Sequence, residues 1–199
     1  MSRINIFISK IYTKLCRVRI KNYNFTILSN CCISGSAYKR LGLPFLTPTI
    51  NVYIEPLDFV KFLSNIEYYL SLNLEYYDEE TSYPNAYLGD IKIHFYHSKN
   101  FDEANNDWNR RKNRINFNNL YIIIRDLEED VITPNLINNI KLNYRSLVIL
   151  KKYKVKDKRF KQIKIKNEEK EYYKDRFNIH IWEKRWKWIK FLNTNMNLD

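Results

Sequence analysis

Apolar and polar positions repeat at two different periods along this chain, and the switches between them mark its elements. Phe25 to Leu28 is a short β run that passes through Ser29 and Asn30 to Cys31 and Cys32. There the spacing of Ala37, Tyr38 and Leu41 predicts a helix. Ser29 and Asn30 are both good N-cap residues, Gly42 suits the left-handed position past the last turn, and Pro44 prevents continuation. Thr49 to Ile54 reads as extended, and Leu57 to Leu72 as a helix with Phe59, Leu63, Ile66 and Leu70 on one face. Asp78 to Asn85 reads as a flexible loop, Tyr87 to His97 as a strand, and Asp102 to Ile115 as a helix. Leu120 to Ile124 is almost continuously apolar, the pattern of a strand covered on both faces. Thr133-Pro134 opens a further helix, Ser146 to Lys151 is a strand, and the Trp-rich segment Glu183 to Leu192 is a closing helix. Such alternation predicts an α/β fold, a layered domain with a mainly parallel or mixed sheet flanked by helices.

The chain divides into residues 1–22, a basic amphipathic helix, and residues 23–199, a single α/β domain. In the first part Ile4, Ile8, Ile11, Leu15 and Val18 recur at helical spacing, while Lys10, Lys14, Arg17 and Lys21 follow another stripe. Such a helix either docks its apolar stripe on the domain or lies on an anionic membrane surface through residues 4–21.

Charge sharpens this division. Met1 to Ile54 carries eight basic and no acidic residues, Glu55 to Ile140 eight basic against fifteen acidic, and Lys141 to Leu192 eighteen against six. The net charge of +12 therefore belongs to the two ends. Lys151 to Lys174 interleaves lysines with Tyr153, Phe160, Ile163 and Ile165, but carries no nucleic-acid-binding motif. Its alternation at 161–166 reads as an edge strand of a solvated hairpin, guarded by charge, so a nucleic-acid partner is not expected.

Composition removes several function classes. With three glycines in 199 residues, neither a dinucleotide fingerprint nor a phosphate loop can be written, and no cofactor is expected. Cys16, Cys31 and Cys32 form no disulfide framework and fit a reducing cytoplasm. With His94, His97 and His180 they also lack zinc-site spacing, so no metal is expected. No apolar run is long enough to span a bilayer.

What remains is nucleophile chemistry. A thiol at a helix start meets unpaired N–H groups and the positive end of the dipole, which favour thiolate. A buried cysteine pair would instead be inert packing. On the strand Asp90 to His97, a period of two puts Ile91, Ile93, Phe95 and His97 on one face, and Asp90, Lys92, His94 and Tyr96 on the other. His97 comes last and Cys32 also follows a strand, so both fall on the edge where open α/β sheets gather ligands. A Cys32–His97 pair would activate the thiol, while His94 has Asp90 as a structural partner. Ala104, Trp108, Arg111 and Ile115 share a helical stripe, which makes Arg111 core-facing and requires a carboxylate or an anionic ligand beside it. Asp107, one turn earlier, is the obvious carboxylate; Arg110 and Arg114 read as surface.

These residues also carry a resemblance. Phe25-Thr-Ile-Leu-Ser-Asn-Cys-Cys, Tyr38-Lys-Arg-Leu-Gly-Leu-Pro-Phe-Leu-Thr-Pro-Thr, Leu88-Gly-Asp-Ile-Lys-Ile-His-Phe-Tyr-His and Trp108-Asn-Arg-Arg-Lys-Asn-Arg-Ile-Asn stand in this order. From Phe25 to Asn193 the chain resembles an uncharacterised bacterial family commonly labelled exopolysaccharide or capsule biosynthesis protein. Against that family's Ser-Asn-Asn-Cys-Trp-Gly-Gly, Cys32 matches the cysteine, Cys31 replaces an asparagine, Ile33 the tryptophan and Ser34 a glycine. His94 and His97 match its His-Phe-x-His element, and a related group is labelled papain-like cysteine peptidase.

Three function classes follow. The first is a cytoplasmic transferase or hydrolase with Cys32 as nucleophile, His97 as base and Asp90 as a further catalytic residue, and the resemblance implies that it works in surface-glycan assembly. Asn30, His94 and Arg111 would bind substrate, drawn from a sugar-nucleotide or acyl donor and a glycan. The second class is a non-catalytic partner of a glycan synthase complex at the inner face of the membrane. The third is a nucleic-acid binder through Lys151 to Lys174.

Overall fold

The computed structural model describes residues 11, 14–15, 18–21, 23–127, 131–151, 161–164, 189–190 and 192–193. Four strands, β1 (Thr26–Ser29), β5 (Leu120–Asp126), β6 (Ser146–Lys151) and β7 (Lys161–Lys164), form one parallel sheet in the order β1-β5-β6-β7. Between β1 and β5 lie α1 (Ile33–Leu41), α2 (Pro56–Ser64), α3 (Ile66–Ser71) and an antiparallel meander of β2 (Glu75–Tyr77), β3 (Asn85–Leu88) and β4 (Ile91–His94). Helix α4 (Phe101–Lys112) follows the meander, and α5 (Pro134–Asn138) joins β5 to β6.

The expected mixed α/β architecture is what forms, because β5 needs both faces covered. Leu120, Ile122 and Ile124 face one way, into a core with Leu28, Phe59, Phe62, Ile93 and Trp108. Tyr121 and Ile123 face the other way, toward Phe25, Ile27, Ala37, Tyr38 and Leu41. Ile122, Ile123 and Ile124 are fully buried, and each such side chain contributes roughly 1.5–3 kcal/mol. β1 is an edge strand whose outward groups are bound by side chains: Tyr38 Oη accepts from Ile27 N at 3.0 Å and donates to Phe25 O at 3.0 Å, while Thr49 Oγ1 accepts from Ser29 N at 3.1 Å. The segment 46–54 thereby covers an edge that would otherwise template further strands.

Several boundaries move. The strand expected over 87–97 is a hairpin, because Gly89 adopts φ 62° at a turn and pairs Leu88 with Ile91 across it. The helix expected over 57–72 breaks at Asn65, which leaves helical geometry at φ −143°. Thr133 caps α5 as expected, accepting from Leu136 N, and Gly42 ends α1 at φ 64°. β7 is the charged edge strand expected at 161–166, but it pairs parallel to β6 rather than as a hairpin with it.

The two ends are described only in part. Ile11, Lys14, Leu15, Val18 and Arg19 are helical, as are Ile189, Lys190, Leu192 and Asn193. The Asn193 side chain accepts from Lys21 N at 3.1 Å and donates to Arg19 O at 2.7 Å, and Ile20 is buried beside Ile189 and Leu192. Most of the closing helix expected over 183–192, and most of Lys151 to Lys174, lies outside the described residues.

Candidate functional site

The site begins where β1 ends. Asn30 is fully buried, with its Oδ1 accepting from Arg125 N at 2.7 Å and its Nδ2 donating to Arg125 O at 2.9 Å and Ile54 O at 3.2 Å. Its own carbonyl accepts from Ile54 N at 3.1 Å. The side chain expected to bind substrate or cap the helix thus ties the end of β1 to the end of β5 and to the chain entering α2. Capping of α1 falls to Ser29, whose Oγ accepts from Ser34 N at 3.3 Å and donates to Cys31 O at 2.7 Å.

The adjacent cysteines separate. Cys31 is buried in the core with Ile33 and Ala37, as the packing alternative requires. Cys32 is half-buried at the N-cap position of α1, where its carbonyl accepts the helix's opening bond from Ser36 N at 3.1 Å. Neither is in a disulfide. Gly35 lies one turn on, and a Cβ there would stand 2.8 Å from Asn51 Oδ1, so glycine admits Asn51 against the helix. Asn51 itself is held at φ 61°, an unusual backbone state for a residue with a side chain.

Next to this edge the small sheet presents a cross-strand row. Register places Tyr77 opposite Asn85, Asn85 opposite His94, and His94 opposite Tyr53, which extends the sheet through Tyr53 N to His94 O (2.8 Å) and His94 N to Tyr53 O (2.9 Å). Directly opposed side chains on one face touch. His94 Nδ1 lies 2.6 Å from Asn85 Oδ1, and Asn85 Nδ2 donates to Thr81 Oγ1 at 2.8 Å. The amide oxygen is thereby turned to the imidazole, Nδ1 carries the proton, and the lone pair sits on Nε2. Burial, and then the Lys92 charge, pull the His94 pKa below its ordinary value, so the ring is neutral at pH 7.

Tyrosines close around this imidazole. Tyr53 and Tyr96 stack at 5.9 Å, Tyr83 meets Tyr96 edge-on at 4.5 Å, and His94 lies 6.0 Å from Tyr96. Tyr53 Oη donates to Glu55 Oε2 at 2.9 Å. Burial chiefly raises the Tyr96 pKa, with Tyr83, Glu55 and the Cys32 sulfur adding to the rise.

The other expected residues fall elsewhere. His97 is exposed in a turn after β4, so the strand's alternation does not extend to it. It lines a cavity of about 180 Å³ with Asn51, Glu103, Asp107 and Arg111. Arg111 pairs with Asp107, which also holds Arg110. Burial lowers the Arg111 pKa and the Asp107 charge opposes that. Asp90 departs furthest from expectation. It sits in the turn before β4, at the opposite end from His94, where it accepts from Tyr69 Oη at 2.9 Å and Lys61 Nζ at 3.1 Å. Those two bonds lower its pKa, and burial followed by the Asp90 bond takes Tyr69 to about 12. His94 accordingly pairs with Asn85 and not with Asp90.

Sequence reasoning missed Asn85, Tyr53, Tyr83 and Glu55. The only signal was register, since Asn85 meets His94 nine residues later once Gly89 turns the chain. Among the described residues no group of acidic, His or Cys side chains could hold a metal ion, and no helix is long and apolar enough to cross a membrane.

A protein of Haemophilus influenzae (strain ATCC 51907 / DSM 11121 / KW20 / Rd), named only "Uncharacterized protein", is 36% identical over 108 residues. The match covers 54% of this chain and 52% of that protein, so the chain spans about half the length of its relative. Residues 3–196 match a family described as a domain of unknown function, and on that extent the chain belongs to the DUF1919 family.

Proposed function

We propose that this protein is a cysteine-dependent transferase or hydrolase, with Cys32 as nucleophile and the β4 imidazole as general base. One observation carries the reading: His94 is fixed in a single tautomer by Asn85 and its pKa is lowered by burial, inside a tyrosine cluster whose Tyr96 feels the Cys32 sulfur. A neutral, oriented imidazole that reaches a thiol at a helix start would make that cysteine a nucleophile at neutral pH. His94 Nε2 takes the Cys32 proton as Sγ attacks the carbonyl of an acyl donor. A thioester forms, and the leaving group departs with that proton. His94 then takes a proton from an acceptor hydroxyl or water, whose oxygen attacks the thioester and restores the thiol. In this reading His97 and Arg111 serve the neighbouring cavity, where they suit an anionic part of the substrate. The resemblance to exopolysaccharide and capsule proteins directs the substrate toward activated sugars and acyl groups of surface-glycan assembly.

The test is capture of the covalent intermediate. Full-length protein is incubated with a panel of acyl thioesters and sugar nucleotides, quenched in acid and weighed intact. An adduct on Cys32 that disappears in Cys32→Ala and persists in Cys31→Ala is the expected result. Accumulation on Cys31, or equal labelling of both, would contradict the reading.

A second reading has its own observation. Ile11, Leu15 and Val18 are 44%, 46% and 82% exposed on the N-terminal helical stretch, an apolar row beside lysines. A membrane-peripheral partner of a glycan synthase would use that row. Its signature is sedimentation with anionic vesicles that is lost when Lys10, Lys14, Arg17 and Lys21 are neutralised and unchanged by Cys32→Ala.

A further inference from the structure

A cleft of about 490 Å³ lies between β2, the loop 78–85 and the start of α4. We propose that it is a subsite for a neutral, polyhydroxylated ligand, the acceptor sugar of the Cys32 site; this rests on the function proposed above and names its substrate class.

The floor of the cleft is an aromatic platform. Tyr76 is 57% exposed and leans on Phe101 with ring centroids 5.4 Å apart, while its hydroxyl donates to Asp78 Oδ1 at 3.2 Å. The ring is thus positioned from both ends, with a face left to solvent. Neighbouring Tyr77 differs: Lys92 Nζ lies 4.8 Å from its ring centroid and Tyr87 packs against it. An exposed, oriented ring suits the apolar C–H face of a sugar.

The rim sets the polarity. Among the described residues Asp102, Ser82 and the Lys99 ammonium line the cleft without a hydrogen-bonding partner. They offer an acceptor, a hydroxyl that does both, and a donor. An anion would need donors alone and would meet Asp78, Glu79 and Asp102. A simple cation would need acceptors alone and would meet Lys99. Vicinal hydroxyls, each donor and acceptor, match the mixed set. The cleft also shares Tyr83 and Asn85 with the His94 cluster, so a ligand lying in it would contact residues that touch the proposed base.

The experiment is titration of the full chain with neutral tri- to pentasaccharides of glucose, galactose and N-acetylglucosamine, followed by saturation-transfer NMR and calorimetry. Sialylated and phosphorylated counterparts and spermine serve as charged arms. At least one neutral oligosaccharide is expected to bind, and to weaken about tenfold in Tyr76→Ala. Tyr76 is a surface residue, and circular dichroism of the variant checks its fold. Binding confined to a charged arm, no neutral binder, or neutral binding indifferent to Tyr76→Ala would each overturn the subsite. If Cys32 adducts form while no neutral sugar binds, the subsite alone fails. If sugars bind at Tyr76 while Cys32 traps nothing, the covalent chemistry alone fails.

Discussion

Two buried asparagines stand at neighbouring strand ends and do opposite things. Asn30 spends its whole amide on backbone groups of Arg125 and Ile54, and leaves nothing over. Asn85 spends its amide on two side chains, Thr81 and His94, and the imidazole it fixes keeps its second nitrogen available among the described residues. Burial alone therefore does not separate scaffold from chemistry. What separates them is whether the satisfied group hands a reactive atom onward.

The largest effect belongs to the scaffold side. Asn30→Ala removes three side-chain bonds to backbone groups of Arg125 and Ile54, and at about 1–3 kcal/mol per lost bond should cost about 3–9 kcal/mol. Urea denaturation reads this directly, and the alkylation rate of Cys32 in the remaining folded fraction should be unchanged. A stable Asn30→Ala protein would erase the contrast. Tyr38→Phe tests the same side more gently. It removes both bonds to the β1 edge while keeping the ring stacked on Phe25, and should cost about 1–3 kcal/mol.

Asn85→Ala tests the other side. It frees the His94 tautomer, so the thiol should alkylate about tenfold more slowly at neutral pH while stability changes less than in Asn30→Ala. The acid limb of stability sharpens this further. His94 is lowered by burial in the folded state, so the folded protein binds fewer protons than the unfolded chain as pH falls below about 6.5. The neutral ring's share of stability is complete above that pH and is lost as pH drops through the depressed value. Thermal melts between pH 7 and 5 should show a decline that is shallower in His94→Gln. Smallest of all, Asp90→Asn should leave Cys32 reactivity unchanged, since the Lys61 and Tyr69 partners place it away from the thiol.

The layered fold was legible because its signals are local. The continuous apolar run at 120–124 announced a strand covered on both faces, and Gly42 and Thr133 announced helix ends. The site was legible in its types and less so in its pairs. Cys32 at a β-to-α junction, Arg111 beside Asp107 and the outward face of His94 follow from spacing within one element. The partner of His94 does not, because it depends on a turn at Gly89 that folds residue 85 back onto residue 94. Asp90 looked like the partner of His94 only while 87–97 was read as one straight strand. His97 shared a face with Ile93 only under the same assumption, and the strand ends at His94 before reaching it.

The central claim is that the Cys32 sulfur and the His94 imidazole act as one unit. Rates of alkylation by chloroacetamide, followed for Cys32 from pH 5 to 9 by peptide mass spectrometry, address it in three proteins: wild type, His94→Gln and His97→Gln. A fall of about tenfold or more near pH 7 in His94→Gln, with His97→Gln close to wild type, is the expected result. Identical profiles for wild type and His94→Gln, in proteins shown to be folded, would contradict it.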